Sequence, residues 1–187
     1  MRLVVLKFGG TSVGSIKKIQ RVARIIENYK KKKYNLIVIC SAMSGVTNDL
    51  IKKTKEVSKN FSETEYDAIV STGEQVSCSL IAGCLINNGF KARSWSSWQI
   101  PILTKGVNKN ARIFKIVKKN ILSYLKQGGI PIVTGFQGIN KNDRITTIGR
   151  GGSDASAIML SKFFKAKKCI IYTDVEGVMT TDPRTLK

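Results

Sequence analysis

The sequence predicts an α/β protein, a three-layer αβα sandwich built on a mostly parallel sheet. Short apolar runs that suit buried strands alternate with longer segments of helical periodicity. Strands separated by helices of this length form βαβ units, in which consecutive strands are parallel. No repeat, low-complexity linker or internal boundary divides the chain, so residues 1–187 are predicted to form one domain. Because residues 181–187 read as a loop with no closing element, we expect this domain to be truncated at its C-terminal side.

The individual elements follow from these patterns. The predicted strands are Leu3 to Phe8, Asn35 to Ser41, Ile130 to Thr134 and Lys168 to Thr173, and residues 91–96 could form a further short strand. Five helices are predicted. The first contains the periodic apolar residues Ile16, Ile19, Val22, Ala23 and Ile26, and the second starts near Thr47. The other three run from Glu63 to Asn87, from Ile113 to Lys126 and from Ser153 to Phe164. Asn88 and Gly89 are expected to end the helical stretch before them.

The chain is strongly basic, with 32 Lys and Arg residues against 12 Asp and Glu. Such an excess can indicate a nucleic-acid or anionic-membrane partner. The lysines, however, fall on polar helix faces and in a run from Lys30 to Lys33 at a helix end, and no base-reading motif accompanies them. We therefore expect no nucleic-acid partner, but a preference for anionic ligands.

Histidine is absent from the sequence, which excludes an imidazole base and most zinc sites. The four cysteines show neither CxxC pairs nor metal-binding spacing, so they are predicted to be reduced thiols, and no residue is assigned as a direct metal ligand. No apolar run looks long enough to span a bilayer, and the apolar start is too short for a signal peptide. We expect a cytoplasmic protein without a membrane partner.

A glycine-rich loop follows the first predicted strand. Gly9 and Gly10 allow the backbone to approach a phosphate closely, and Lys7 supplies a point charge. The loop is not a Walker A motif, because Ser15 occupies the position of the lysine. The alternative is a tight strand-to-helix turn with a solvated lysine.

Two further loops carry polar candidates. Residues 41–48 offer small hydroxyl groups after a buried strand, although Thr47 could simply cap a helix. Residues 71–75 interrupt a helical stretch, and Glu74 there could direct its carboxylate at a substrate ammonium group. The alternative for Glu74 is an ordinary exposed glutamate.

The segment from Thr146 to Asp154 places three glycines around Arg150 and opens a helix at Ser153 or Asp154. Arg150 can bind a carboxylate through two hydrogen bonds, and the helix N-terminus adds unpaired amides. Asp154 is placed to organise Lys7 or magnesium. A capped turn with only a structural role is the alternative.

Six segments together carry a family resemblance, and they run in order from Lys7 to Arg184: KFGGTSVGS, SAMSGVTN, STGEQVS, PIVTGFQG, TTIGRGGSDASA and IYTDVEGVMTTDPR. They closely resemble the aspartate kinases of the amino acid kinase superfamily. The resemblance implies the carbamate kinase-like fold of that superfamily. It also implies an activity: ATP- and Mg2+-dependent phosphorylation of the side-chain carboxylate of L-aspartate to 4-phospho-L-aspartate. That reaction begins lysine (with diaminopimelate), threonine and methionine biosynthesis.

The resemblance also implies residue roles. The implied catalytic residues are Lys7 and Asp154. The implied substrate-binding residues are Ser41, Thr47, Glu74, Phe136, Arg150, Gly151, Gly152 and Ser153. The implied ATP-binding residues are Lys7, Phe8, Gly9, Gly10, Thr173, Asp174, Met179 and Arg184, with Met179 standing where the family usually has an aromatic residue.

The implied chemistry suits a chain without histidine. The acceptor carboxylate is already ionised at neutral pH, so no general base is needed. Family members continue well beyond Arg184, to complete the nucleotide-binding lobe and to add ACT regulatory domains. The expected partners are therefore L-aspartate, ATP, and either further copies of the chain or a complementing chain. The alternatives are an inactive or split remnant that retains only ligand binding, and a basic binding protein.

Overall fold

The computed structural model of the protein describes residues 2–149 and 151–173. The strands within these ranges are β1 (Leu3–Phe8), β2 (Asn35–Cys40), β3 (Ala92–Trp95), β4 (Ile102–Lys105), β5 (Arg112–Ile116), β6 (Ile130–Thr134), β7 (Gln137–Ile139), β8 (Ile145–Thr147) and β9 (Lys168–Tyr172). The helices are α1 (Ile16–Lys31), α2 (Val46–Val57), α3 (Glu63–Val70), α4 (Thr72–Asn87), α5 (Lys119–Lys126) and α6 (Gly152–Phe164), with a 3-10 turn at Gly10–Val13.

The main sheet has five parallel strands in the order β3-β6-β2-β1-β9. Residues that alternate along β1 contribute to different sides of it, since Val4, Leu6 and Phe8 join the apolar cluster formed with α1 and α4. Leu3 and Val5 belong instead to the cluster formed with α5 and α6. Helices thus cover both faces of the sheet, and the predicted three-layer α/β architecture is confirmed.

Helix α1 shows how the sequence specifies an element. The Ser15 side chain caps its start by accepting a 3.3 Å hydrogen bond from the Lys18 backbone amide. Four of the five periodic apolar residues, Ile19, Val22, Ala23 and Ile26, are buried against the sheet, whereas Ile16 is exposed. Helix α1 connects β1 to β2, so its start fixes the direction in which the chain leaves the glycine-rich loop.

A second sheet, in the order β5-β4-β7-β8, was not predicted. The predicted helix from Ile113 to Lys126 is wrong in its first part, because residues 112–116 form β5 and α5 begins at Lys119. Short apolar runs fit both periodicities, and antiparallel pairing with β4 decides between them here. Strands β7 and β8 have three residues each, too few to show a periodic pattern.

The predicted helical stretch from Glu63 to Asn87 consists of two helices that meet at Ser71, where an interruption was expected. By length and composition alone this stretch is apolar enough to cross a membrane, contrary to the expectation that no such run exists. A core helix meets the same criteria, and half of the apolar window is buried inside the protein. Cys78, Ile81 and Leu85 of α4 pack in the main core, so the composition of this stretch reflects burial within the fold.

Candidate active site

A cavity of about 590 Å³ opens where the carboxyl ends of β1, β2 and β6 meet the start of α6. Ligands of open parallel sheets bind at this edge, because loops and helix N-termini point there. Many of the predicted site residues line this cavity together: Lys7, Gly10, Ser41, Thr47, Glu74, Phe136, Gly151, Gly152, Ser153 and Asp154. Segments far apart in the sequence are therefore brought to one place.

Lys7 and Asp154 form an ion pair in this cavity, with 2.6 Å between Nζ and Oδ1. Lys7 lies on the interior strand β1 and its side chain is only 8% exposed, whereas that of Asp154 is 44% exposed. Asp154 lies in the first turn of α6, where the helix dipole stabilises a carboxylate. The pair holds a nearly buried ammonium group at the floor of the cavity.

The glycine-rich loop approaches the loop after β2 very closely. A Cβ atom on Gly10 would lie 2.9 Å from the Ala42 carbonyl oxygen, so only glycine fits at this contact. The Gly9 backbone amide donates a 3.2 Å hydrogen bond to the Tyr172 carbonyl at the end of β9. The loop is thus fixed between its two neighbouring strands, beside the ammonium group of Lys7.

Glu74 is a buried carboxylate at the cavity. Its Oε1 atom accepts a 3.0 Å hydrogen bond from the Ala42 amide, whereas Oε2 has no hydrogen-bond partner in residues 2–149 and 151–173. Burial raises the pKa of Glu74 from 4.5 to about 7, against the lowering effect of backbone hydrogen bonds. Interpretation of Glu74 as an ordinary exposed residue is wrong, since it is 3% exposed. A positively charged group of a ligand in the cavity could pair with Oε2.

The loop after β2 presents hydroxyl groups to the cavity. Ser77 of α4 holds this loop by donating a 2.7 Å hydrogen bond to the Ser41 carbonyl. Helix α2 begins at Val46 after Gly45, which has a φ of +88° and makes no side-chain cap. Thr47 therefore does not cap the helix, and that alternative interpretation is wrong. Thr47 lines the cavity instead.

The start of α6 packs against the end of β6. Helix α6 begins at Gly152, slightly earlier than predicted, after Gly151 with a φ of +73°. A Cβ atom on Gly152 would lie 2.8 Å from the Phe136 ring, so glycine permits this contact. The Phe136 amide donates a 3.1 Å hydrogen bond to Ser156 Oγ, which ties the two segments together. The N-terminal turn of α6 therefore faces the cavity as a candidate anion site.

The predicted nucleotide-binding residues are less completely described. Phe8 and Thr173 line a separate depression of about 290 Å³ beside α1. The Phe8 ring is fully buried and stacks on Tyr172 with 4.7 Å between ring centroids, so Phe8 can offer only its backbone to a ligand. Arg150, Asp174, Met179 and Arg184 lie outside the described residues.

Residues 2–187 match the amino acid kinase family. The chain belongs to this family. The predicted resemblance and the predicted fold are both confirmed by this match and by the solved structures below.

Relatives within the family are named as aspartate kinases. The chain is 49% identical over 188 residues to an aspartokinase of Geobacillus stearothermophilus, and it covers 46% of that protein. It is 46% identical over 186 residues to an aspartate kinase of Pseudomonas putida, of which it covers 45%. The whole chain is matched in both comparisons, so it spans a little under half the length of these relatives.

Solved structures show the same relationship. Aspartate kinase from Synechocystis matches 97% of the chain with a TM-score of 0.81 and 40% identity, and 30% of that structure is covered. Escherichia coli aspartokinase III in complex with aspartate and ADP matches 97% of the chain with a TM-score of 0.83 and 26% identity, and 51% of it is covered.

No site role was predicted for the residues of one wall of the cavity, although Thr147 lies within the candidate segment from Thr146 to Asp154. Tyr66, Lys109 and Thr147 line it, and they come from α3, the β4–β5 loop and β8. The Lys109 ammonium lies 3.1 Å from Glu63 Oε1 and 4.7 Å from the centroid of the Tyr66 ring. A hairpin signal was present, because Gly106 and a run of polar residues separate two runs rich in isoleucine. Nothing in that signal indicates that the hairpin reaches the cavity.

Proposed function

We propose that the protein phosphorylates the side-chain carboxylate of L-aspartate with ATP and forms 4-phospho-L-aspartate. The observation that carries this proposal is the buried Oε2 atom of Glu74, which has no hydrogen-bond partner among the described residues and lies in the same cavity as the Lys7–Asp154 ion pair. A site with an anion for an ammonium group and a cation for phosphate suits an amino-acid kinase. The names of the relatives support L-aspartate as the acceptor.

The acceptor would be held by its charged groups. Its ammonium group would contact Glu74 and restore the interactions that this carboxylate lost on burial. Its α-carboxylate would lie at the N-terminal turn of α6, with Arg150 as a proposed bidentate partner. The hydroxyl groups of Ser41 and Thr47 line the same cavity and would complete the contacts.

Phosphoryl transfer then requires positioning and charge stabilisation. The side-chain carboxylate of the acceptor attacks the γ-phosphorus atom, the bond to the β–γ bridging oxygen breaks, and ADP leaves. No proton has to be removed, because the carboxylate is ionised at neutral pH. Lys7 would neutralise charge on the transferred group, and Asp154 would hold the Lys7 ammonium in place. The backbone at Gly9 and Gly10 would approach the phosphates.

Magnesium fits this site as an ion carried by ATP. The described residues contain no group of three or more His, Cys, Asp or Glu side chains that could hold a metal by themselves. Mg2+ commonly binds through substrate phosphates, water and one or two carboxylates. Both Glu74 and Asp154 line the cavity, and because Glu74 is assigned to the ammonium group, Asp154 is the carboxylate that could contribute to the ion. Bound in this way, the ion would neutralise phosphate charge.

The finer expectations from the sequence are part of the same proposal. They are a place at the start of lysine, threonine and methionine biosynthesis, a cytoplasmic location, and assembly with further copies or a complementing chain. Val76, Leu80 and Ile86 on α4 are exposed apolar side chains, which supports such assembly. Light scattering tests it, and a compact monomer at high concentration would contradict it.

The proposed activity is tested by incubating the chain with ATP, Mg2+ and L-aspartate and trapping aspartyl phosphate as its hydroxamate. We expect product from the native chain and none from Lys7→Ala. Thermal stabilisation by L-aspartate without turnover would favour the alternative, a binding-only remnant. A folded chain that neither forms hydroxamate nor binds L-aspartate would overturn the proposal.

A further inference from the structure

Asp67 is a fully buried carboxylate directly behind the cavity wall. It lies on α3 and accepts hydrogen bonds from Asn108 Nδ2 at 2.7 Å and from the Lys109 amide at 3.1 Å. Thr147 donates twice, from its amide at 3.0 Å and from its hydroxyl at 2.6 Å. One carboxylate therefore fastens α3, the β4–β5 loop and β8 to each other.

The partners of Asp67 themselves form the cavity wall. Lys109 and Thr147 line the cavity, as does Tyr66, the residue next to Asp67. Lys109 has a φ of +62°, an unfavourable conformation for a lysine, and its amide is held by Asp67. Removing the carboxylate would release this backbone.

The same contacts reach the glycine turn at the start of α6. The Ala111 amide donates a 2.9 Å hydrogen bond to the Thr147 carbonyl, so the loop and Asp67 hold both sides of Thr147. Two residues later, a Cβ atom on Gly149 would lie 3.0 Å from the Lys109 carbonyl oxygen. The position of Gly149, which precedes Arg150, thus depends on the loop that Asp67 holds.

We infer that Asp67 is a positioning residue, which acts through Lys109 and Thr147 to place Gly149, ahead of the start of α6, for the acceptor carboxylate. This inference rests on the proposed function. Asp67 contacts donors of the wall, and its effect on the acceptor passes through them. The inference predicts that loss of the Asp67 charge weakens the binding of L-aspartate more than the binding of nucleotide.

The test is Asp67→Asn, with dissociation constants for L-aspartate and for a non-hydrolysable ATP analogue with Mg2+ measured by calorimetry. We expect the constant for L-aspartate to rise about tenfold, since wall residues without ligand contact commonly alter affinity by this order. The constant for the nucleotide analogue is expected to stay within about twofold of that of the native chain. A purely structural defect would weaken both ligands alike.

Glu65→Gln is the matched control, because Glu65 lies on the same helix and its carboxylate is likewise replaced by a carboxamide. Glu65 is exposed and pairs with Arg144, which lies in the turn between β7 and β8 and not at the glycine turn before α6. The affinity for L-aspartate should therefore not change in Glu65→Gln. If Asp67→Asn does not fold, Thr147→Val removes only the hydroxyl donor and should weaken L-aspartate binding severalfold.

The outcomes separate this inference from the proposed function. Unchanged L-aspartate affinity in Asp67→Asn and Thr147→Val, with native binding intact, overturns the inference alone. Equal weakening of both ligands in Asp67→Asn overturns it as well. Absence of L-aspartate binding to the native chain overturns the proposed function, and the inference with it.

Discussion

Lys7 Nζ lies 2.6 Å from Asp154 Oδ1, a contact that joins the interior strand β1 to the first turn of α6. The two residues lie in separate sequence motifs, and a role for Asp154 in organising Lys7 or magnesium was predicted from them. Parallel pairing of β1 with β2 and β9 gives Lys7 a strand neighbour on each side, and α6 covers one face of the sheet there. The ion pair therefore fixes the position of the Lys7 ammonium group in the cavity.

Replacement of Lys7 by methionine should abolish the proposed phosphoryl transfer. The change keeps the length of the side chain and removes the ammonium group beside the glycine-rich loop. Loss of one such preorganised group commonly lowers kcat by about 100-fold or more. Hydroxamate formation measures the effect.

Lys17→Met is the matched control for this change, because Lys17 is exposed on α1. Its activity should equal that of the native chain. Asp154→Asn should lower kcat with little change in the KM for L-aspartate, since it affects the position of Lys7. Native turnover in Lys7→Met would contradict the assignment of Lys7.

The stability of the ligand-free chain should fall as the pH rises from about 4.5 to about 7, as far as Glu74 contributes. Below this range the carboxyl is protonated in both the folded and the unfolded state. Within it the unfolded state loses its proton first, and above pH 7 the full penalty, roughly 3 kcal/mol, applies. Glu74→Gln removes this pH dependence.

Urea unfolding at pH 5 and pH 8 measures the free energy of unfolding for both chains. Relative to the native chain, Glu74→Gln should have a higher free energy of unfolding at pH 8 than it has at pH 5. Glu56→Gln serves as the control, because Glu56 is an exposed carboxylate paired with Lys52 at 3.7 Å. A gap between Glu74→Gln and the native chain that is equal at both pH values would show that the pKa of Glu74 is not raised.

Binding of L-aspartate should have the opposite pH dependence. The ammonium group of the ligand needs an ionised Glu74, whose pKa of about 7 leaves only about one-tenth of the carboxylate ionised at pH 6. The affinity should therefore fall about tenfold from pH 8 to pH 6. Calorimetry across this range tests it, with Glu74→Gln expected to bind weakly at every pH. A flat profile for the native chain would argue against a contact between Glu74 and the ligand.

Secondary structure could be predicted from the sequence where local apolar periodicity is enough to define a helix or a strand. The main sheet, its parallel order of βαβ units and helices α1, α4 and α6 follow from apolar periodicity, and β1 and β6 have the predicted bounds. The second sheet could not be predicted in this way. Strands β7 and β8 are three residues long, and pairing with distant residues, not local pattern, makes them strands.

Some residues of the candidate site could likewise be predicted from local motifs, and others could not. Lys7, Glu74 and Asp154 lie in glycine-containing motifs whose residue types already suggest charge and close backbone approach. Lys109 and Asp67 carry no such signal, because an acid in a helix and a lysine in a loop are common on protein surfaces. Their role depends on the docking of α3 on the second sheet, a long-range contact made through Asp67.

Two glycines of α4 should respond in opposite ways to replacement by alanine. A Cβ atom on Gly73 would lie 2.7 Å from Ala42 Cβ, so Gly73→Ala pushes α4 away from the loop that binds Glu74. We expect destabilisation by about 1 to 3 kcal/mol and weaker L-aspartate binding. Within the part of the chain that the structure describes, Gly83 has no neighbour within 4 Å of the added atom, and Gly83→Ala should stabilise the chain by about 0.5 to 1 kcal/mol.

Urea unfolding and calorimetry with L-aspartate distinguish the two sites. Both variants add one methyl group to the same helix, and only the methyl group at residue 73 meets Ala42, so a loss of stability in Gly73→Ala alone reports that contact. Because Ala42 also donates its amide to Glu74 Oε1, displacement of α4 should lengthen that hydrogen bond and lower affinity together with stability. Stabilisation by Gly73→Ala with unchanged L-aspartate binding would show that the close contact does not position Glu74.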